Sequence, residues 1–250
     1  MNNIVAKITA VVSGKGGVGK STLSAGIGAA LARRGERVLL IDCDAALRSQ
    51  DVLLGVTERL VFDISDAAEG RCTPQQAVYR CAACPRLSMV AAPLHKPLSP
   101  EACRAITQVL AQNFDRVLMD APAGVGEGFL TAVAPAEAAI VVATPDAISV
   151  RSGSVVRNAL AEQGVSDVRM VINRFSAARF LRTGSFADLD GFIDRAGLQL
   201  LGVVPEDTSV ALMAARGVPL LSKGACSEAF MRIAARLCGE RVPLAPLERT

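Results

Sequence analysis

The segment GKGGVGKS, residues 14–21, constrains the fold more than any other part of this 250-residue chain. It fits the pattern G-x-x-x-x-G-K-[ST] in full, and its flanks have the character that this pattern requires. The apolar run KITAVVS, residues 7–13, predicts a strand before it, and residues 20–34 carry apolar side chains at helical spacing after it. A strand, a glycine turn and a helix in this order predict an α/β fold with an anion-binding loop.

Apolar runs rich in Val, Ile and Leu alternate with helical patterns along the rest of the chain, which suits a sheet buried on both faces. This alternation predicts a single α/β domain of the P-loop NTPase class, with a mostly parallel, twisted sheet and helices on both faces. The domain spans residues 1–250, of which 240–250 form a short non-helical tail. Further strands are predicted at 37–42, 87–92, 116–121, 138–144, 168–173 and 200–205, and helices at 99–112, 147–163, 188–196, 209–215 and 227–237.

The composition bounds the functional class. No uncharged apolar run approaches the roughly 18 residues that a membrane span requires, and the N-terminus has no secretory cleavage pattern, so we expect a cytoplasmic protein. The formal net charge of +3 is too small to argue for nucleic acid. His95 is the only histidine, which argues against Ser-His-Asp or multi-histidine metal chemistry and predicts an ordinary satisfied or solvent-facing side chain.

The glycine turn has the chemistry of a phosphate site. Its glycines let successive backbone N–H groups converge on phosphate oxygens, and the helix that follows directs its positive end at them. Lys20 supplies a compact ammonium to the β- and γ-phosphates, and Ser21 supplies a hydroxyl to Mg²⁺. The alternative is a glycine turn without a ligand. The nucleotide-binding residues predicted here are Gly14, Gly16, Gly17, Val18, Gly19, Lys20, Ser21 and Thr22.

Lys15 adds a second lysine to the same turn. The chain has only five lysines among its 27 basic residues, so two in one turn need a reason. From the start of the loop, Lys15 is poorly placed to reach the same phosphates from the same side as Lys20. The two ammonium groups would repel each other unless an anion lay between them. We therefore interpret Lys15 as a ligand for the phosphates of a nucleotide in another subunit.

Carboxylates follow two of the predicted strands. Asp42 and Asp44 stand two residues apart at the end of a strand, so both could point the same way, although an ordinary strand-end turn is the alternative. Asp120 ends the apolar run RVLMD. That placement is typical of a Walker B carboxylate, which binds Mg²⁺ directly or through water.

The loop form K-G-G-V-G-K-S resembles the deviant Walker A of the MinD/ParA family of P-loop ATPases. LLIDCDAALRSQDVLLG resembles the second strand and switch I region of that family, and VLMDAPAGVGEG resembles its Walker B and switch II. VATPDAISVRSGSVVRN resembles the segment that follows, and LLGVVPEDTSVALMAARGVPLL the C-terminal strand and adenine-side loop. The resemblance covers nearly the whole chain and is closer to the MinD branch than to the plasmid-partition ParA branch.

The resemblance implies an ATPase that uses ATP and Mg²⁺ and forms a face-to-face homodimer in its ATP state. It implies control of a protein partner, in cell-division site selection or related spatial positioning, with any membrane location set by that partner. The catalytic residues would be Lys15, Lys20 and Asp44, with Lys15 crossing the dimer and Asp44 orienting the attacking water. The Mg²⁺ site would involve Ser21, Asp42 and Asp120. Gly124 would contact the γ-phosphate, and the adenine side would comprise Asn173, Arg174, Pro205, Glu206 and Asp207.

The cysteines leave a second function within this family open. A four-thiolate zinc or iron–sulfur site would indicate a metal-site maturation ATPase. The spacing C-x8-C-x2-C-x18-C is a weak match, and small buried thiols are the alternative. The four candidates are Cys72, Cys81, Cys84 and Cys103.

A basic stretch leaves open a third function, that of a DNA-partition ATPase. It carries Arg169, Arg174, Arg179 and Arg182, and basic surfaces bind DNA without sequence preference. With a net charge of only +3, a solvated surface is favoured and DNA binding is not expected.

The C-terminal region is a poor membrane anchor. Phe230, Ile233, Ala234 and Leu237 form an apolar stripe, but on a helix that we expect to pack against the sheet. After it, ERVPLAPLERT contains two prolines that prevent a continuous helix, and it carries few large apolar residues. Direct membrane binding is therefore not expected.

Overall fold

The computed structural model describes residues 6–94, 97–183, 188–215 and 224–245, so the prediction for His95 lies outside the described residues. Within them the sheet contains eight strands. They are β1 (Lys7–Ser13), β2 (Val38–Asp42), β3 (Tyr79–Arg80), β4 (Leu87–Val90), β5 (Arg116–Ala123), β6 (Ala138–Ala143), β7 (Asp167–Phe175) and β8 (Gln199–Pro205).

Ten α-helices connect or flank these strands in the described residues. They are α1 (Lys20–Arg33), α2 (Gln50–Leu53), α3 (Ile64–Ala68), α4 (Pro100–Ala111), α5 (Glu127–Val133), α6 (Ala147–Glu162), α7 (Ala177–Thr183), α8 (Leu189–Ala196), α9 (Thr208–Ala215) and α10 (Ala225–Leu237). Short 3₁₀ turns occupy Thr57–Arg59 and Pro74–Ala77.

The strands form one sheet in the order β3-β4-β2-β5-β1-β6-β7-β8. Every neighbouring pair is parallel except β3 and β4, which are antiparallel at the edge. The predicted fold class is thereby confirmed. The order places β1 between β5 and β6, so the loop after β1 lies beside the carboxyl ends of both neighbours.

Two apolar cores cover the two faces of the sheet. Leu39 and Met119 belong to the core that includes α4, α5 and α6, whereas Leu40 and Leu118 belong to the core that includes α1 and α10. Because successive residues of a strand point to opposite faces, nearly every strand residue is apolar. This burial explains why the strands were predictable as continuous runs.

The four cysteines of the metal hypothesis do not come together. Cys81 and Cys84 pack in the core around α1, and Cys72 and Cys103 pack in the core on the other face of the sheet. No group of three or more His, Cys, Asp or Glu side chains in the described parts of the chain could hold a metal ion. A shared four-thiolate site is therefore wrong, because the sheet separates the two pairs.

Helix α10 uses its apolar stripe inside the protein. Phe230 is fully buried, and its ring occupies the space where a Cβ on Gly26 of α1 would lie, 2.6 Å from the nearest ring carbon. Ile233 fills the corresponding space at Gly202 of β8, where a Cβ would lie 2.5 Å away. Among the described residues, no helix is both long and apolar enough to cross a membrane.

Candidate active site

The predicted site residues converge at the carboxyl edge of the central strands. Asp42 and Asp120 are register partners on the neighbouring strands β2 and β5, and Val11 of β1 also pairs with Asp120. The glycine turn leaves β1 at this edge and enters α1 at Lys20. Three loops from three adjacent strands thus meet in one place.

The glycine turn presents an open helix N-terminus. Gly17 and Gly19 have φ values of 77° and 86°, which a side chain disfavours. Gly19 stands at the N-cap of α1 with no side-chain cap, and the first turn of α1 contains no acidic residue. By contrast, Asp146 caps α6 by accepting from the Ser149 amide at 2.9 Å. The first amides of α1 are therefore left for an anion.

Close packing also holds the turn. A Cβ at Gly14 would lie 2.6 Å from the Cβ of Ser152 on α6, and a Cβ at Gly19 would lie 2.5 Å from Nδ2 of Asn173. Asn173 Nδ2 donates to the Val18 carbonyl at 2.7 Å. The turn is thus fixed from α6 on one side and from β7 on the other, which prearranges its backbone.

Lys20 and Asp120 form a buried ion pair at the base of the turn. Lys20 Nζ lies 2.9 Å from Asp120 Oδ1, and the side chains are 7% and 0% exposed. Ser24 Oγ donates to the same carboxylate oxygen at 3.1 Å. The lysine needs this partner because an unpaired buried ammonium would be strongly unfavourable.

Asp42 and Asp120 make the site acidic. Burial, followed by the negative charge of Asp120, raises the pKa of Asp42 to about 7. A divalent cation would relieve this repulsion, and Mg²⁺ is commonly held by one or two carboxylates together with substrate phosphates. These two carboxylates, with Ser21 at the first turn of α1, therefore fit Mg²⁺.

Gln50 is a site residue that our sequence reasoning missed. It is fully buried, and its Nε2 donates to Asp120 Oδ2 at 2.7 Å and to the Ser21 carbonyl at 3.0 Å. Its backbone amide also donates to Asp42 Oδ2 at 3.1 Å. Its Oε1 is buried without a hydrogen-bond partner among the described residues. In the sequence Gln50 stands between the polar residues Ser49 and Asp51, and no local pattern singles it out.

Asp44 lies at the edge of the same acidic pair. Its Oδ1 accepts from the amides of Ala46 and Leu47, both at 3.2 Å, and its own amide donates to Asp42 Oδ1 at 2.9 Å. Its Oδ2 accepts no hydrogen bond within the described ranges. The structure thus shows both a turn-forming oxygen and a second oxygen that could hold a water.

Lys15 forms an ion pair with Asp146 at the surface. Its Nζ lies 3.5 Å from Asp146 Oδ2, and the two side chains are 42% and 39% exposed. Asp146 also accepts from the Thr144 hydroxyl at 2.6 Å. Within one subunit, the two lysines therefore pair with different carboxylates, Lys15 with Asp146 and Lys20 with Asp120.

Gly124 has φ of 87° in the turn after β5. Its amide donates to the Ser13 carbonyl at 2.8 Å, so this N–H is engaged by the end of β1. A contact between Gly124 and a γ-phosphate would require this hydrogen bond to break.

The adenine-side residues line one cavity of about 250 Å³ beside Gly19 and Thr22. Asn173 and Arg174 form one wall, and Arg174 has the unusual φ of 55° for a non-glycine residue. Pro205, Glu206 and Asp207 form another, and the Glu206 amide donates to the Phe175 carbonyl at 2.8 Å. The cavity joins the N-terminus of α1, as a nucleoside attached to the bound phosphates would need.

Comparison with known proteins agrees with this geometry. The family described as the CobQ/CobB/MinD/ParA nucleotide binding domain matches residues 9–220. The chain belongs to this family. The matched range includes the glycine turn, Asp42 and Asp120.

MinD proteins are among the similar curated relatives and solved structures. The septum site-determining protein MinD of Bacillus subtilis is 38% identical over 95% of this chain and 91% of its own length. MinD of Synechocystis is 34% identical over 95% of this chain and 91% of its own length. The MinC:MinD cell division protein complex of Aquifex aeolicus gives a TM-score of 0.89 at 33% identity, covering 96% of this chain and 99% of that one.

Proposed function

We propose that this chain is a MinD-like ATPase that converts ATP and water to ADP and phosphate and uses its nucleotide state as a switch. ATP and Mg²⁺ would promote a face-to-face homodimer, and hydrolysis would release it. The relatives are named for septum-site determination, which supports a role in cell-division site selection. The similar Aquifex structure is a complex with MinC, which supports a protein partner.

The phosphate cradle follows from the chain's own residues. The turn from Gly14 to Gly19 and the open N-terminus of α1 would bind the phosphate oxygens. Lys20 would turn from Asp120 toward the β- and γ-phosphates, which carry more negative charge. Ser21, Asp42 and Asp120 would hold Mg²⁺, which neutralises charge on the phosphates when it is bound.

For hydrolysis, the protein would mainly need to align the attacking water with the γ-phosphate rather than form a covalent bond to it. Asp44 Oδ2 would orient the attacking water, while its Oδ1 continues to accept hydrogen bonds from the amides of Ala46 and Leu47. The Gly124 amide would give up its hydrogen bond to the Ser13 carbonyl and donate to the γ-phosphate instead. Loss of the γ-phosphate after hydrolysis would then change the conformation of the turn after β5. Asn173 would read the adenine edge while still holding the Val18 carbonyl.

Lys15 would act across the dimer. Asp146 holds its ammonium on an exposed surface, where a partner's phosphates could compete for it. Ile148 and Leu47 follow β6 and β2 at the same carboxyl edge of the sheet and are 67% and 77% exposed, so this edge also offers apolar area to a second subunit.

The buried pair of Lys20 and Asp120 below an uncapped helix N-terminus is the observation that carries the proposal. Calorimetry with Mg-ATP tests it directly. The parent protein should bind ATP, and Lys20→Ala should abolish binding. Equal binding by the two proteins would contradict the assignment.

No observation favours the two alternatives over this proposal. The sheet separates the four cysteines of the maturation hypothesis. In the basic stretch, Arg169 pairs with Asp167 and Arg179 pairs with Glu206, which reduces the charge offered to DNA.

A further inference from the structure

A second cavity lies at the opposite edge of the sheet from the nucleotide site. Its volume is about 580 Å³, within the range of small-molecule sites. Arg37 and Arg86 border it immediately before β2 and β4, and Asn113 and Phe114 border it before β5. These positions are at the amino ends of parallel strands, so the cavity shares no residue with the proposed ATP site.

The charge of this cavity is positive. Arg37 is neutralised by Asp115, with Nη2 2.6 Å from Oδ1 and its amide 2.7 Å from Oδ2. The hydrogen bond from Arg37 is the main reason that the pKa of Asp115 lies below its usual value, so this carboxylate stays charged and committed. Arg86 donates only to the Gly35 carbonyl, and the Arg80 guanidinium has no partner among the described residues. Arg86 also lies within the field of Asp115, so Arg37, Arg86 and Arg80 share this one carboxylate and leave a net positive charge at the cavity.

Ser88 provides a polar group at the floor of the cavity. Its neighbours Leu87 and Met89 pack in the core around α1, so the Ser88 side chain faces the opposite side of β4, toward the cavity. The residue is only 7% exposed, but its hydroxyl is not among the buried polar atoms that lack a partner in the described parts of the chain, so the oxygen faces the open space of the cavity. Ser88 pairs in register with Arg80 of β3, so the two side chains lie on the same face. A hydroxyl that faces the cavity beside the Arg80 guanidinium can donate to an anion held by that arginine.

The remaining walls are apolar or neutral. Leu110 and Phe114 line one side from the end of α4 and the residues after it, and Val78 and Pro85 line the other. Gln75 and Asn113 add amides. A ligand that fits has an oxyanion head and an apolar or aromatic body.

From these contacts we propose that the cavity binds a small organic phosphate. The phosphate would lie between Arg80 and Arg86 with a hydrogen bond from Ser88, and the organic part would lie against Phe114 and Leu110. Three guanidinium groups opposed by the single carboxylate of Asp115 match the two charges of a phosphate monoester better than the single charge of a carboxylate. The site is independent of the proposed ATPase function.

Phenyl phosphate is a suitable probe, because it combines a dianion with a ring. Calorimetric titration would be done on the full chain in the presence of excess Mg-ADP. We expect one saturable site, with affinity reduced about tenfold or more in Arg80→Ala, because a charge-assisted contact is lost. Ser88→Ala should weaken binding in the same direction. Arg182→Ala, which removes an exposed arginine of α7, is the matched control and should bind as the parent does.

Three results would overturn the proposal. They are the absence of saturable binding to the parent, equal binding by Arg80→Ala, and tighter binding of benzoate than of phenyl phosphate. Equal affinity for inorganic phosphate would contradict the apolar half of the site. Lys20→Ala separates the two sites: it should lose ATP and retain phenyl phosphate, whereas loss of phenyl phosphate as well would place the probe in the glycine turn.

Discussion

Lys15 Nζ lies 3.5 Å from Asp146 Oδ2, on the surface beside the glycine turn rather than inside it. Both side chains are well exposed, and ion pairs of this kind contribute about 0–1 kcal/mol to stability. Lys15 can therefore leave Asp146 at little cost. This property suits a side chain that must exchange an internal partner for a phosphate of a second subunit.

Replacing Asp146 by asparagine should make ATP-dependent dimerisation easier. Asn keeps an oxygen for the N-cap of α6 and removes the charge that holds Lys15, although an amide nitrogen then replaces the oxygen that accepts from the Thr144 hydroxyl. We expect half-maximal dimerisation at an ATP concentration up to about fivefold lower, in line with a weak exposed pair. Light scattering during a titration with ATP measures this concentration. A higher ATP concentration for half-maximal dimerisation than in the parent would contradict the proposal that Asp146 retains Lys15.

Replacing Asp44 should stop turnover without preventing ATP binding. In Asp44→Asn the turn to Ala46 and Leu47 keeps its acceptor, but the water loses a negatively charged aligner. We expect hydrolysis to fall by about 100-fold or more, the usual scale for such a group. Release of phosphate would be followed alongside nucleotide binding. If the variant hydrolysed ATP at the parent's rate, a residue other than Asp44 would have to align the water.

Gln50→Leu should strengthen metal binding. Gln50 Nε2 occupies Asp120 Oδ2 at 2.7 Å, so the glutamine competes with a cation for this oxygen. Mn²⁺ affinity in the ADP complex, measured by electron paramagnetic resonance, should rise by about threefold to tenfold. Gln163→Leu, an exposed glutamine after α6, serves as the control and should not change it. Weaker Mn²⁺ binding would show that Gln50 supports the metal instead.

Phe230→Ala should destabilise the fold by about 3–5 kcal/mol, because a fully buried ring is removed from the glycine contact between α10 and α1. Leu244→Ala, at a position that is 45% exposed, should change stability by no more than about 0.5 kcal/mol. Urea unfolding of the two variants compares them. If both variants lost a similarly small free energy of unfolding, α10 would be able to detach from the rest of the domain, as a membrane-binding helix would.

Residues in strong periodic patterns were predictable from the sequence, and residues placed by tertiary contacts were not. The strands were found because burial on both faces makes them continuous apolar runs. Helices α2, α3, α5 and α7 and the two-residue strand β3 were missed, because they are short and are stabilised by contacts rather than by periodicity.

The same division applies to the site. Lys20, Asp42 and Asp120 could be named because a loop pattern and strand ends fix where they lie. Gln50 could not, since it reaches Asp120 across 70 positions of sequence through the fold. The hydrogen bond from the Gly124 amide to the Ser13 carbonyl could not be predicted either, because no local pattern reports a contact between the turn after β5 and the end of β1.

The central claim is that ATP drives a dimer through Lys15, and light scattering with Mg-ATP tests it most directly. In an Asp44→Ala background, where hydrolysis is slow, the protein should have twice the monomer mass of 26.0 kDa with Mg-ATP and the monomer mass with Mg-ADP. Adding Lys15→Arg, which keeps charge but replaces the compact ammonium, should leave ATP bound and the protein at 26.0 kDa. A full ATP-dependent dimer of the Lys15→Arg protein would contradict the account.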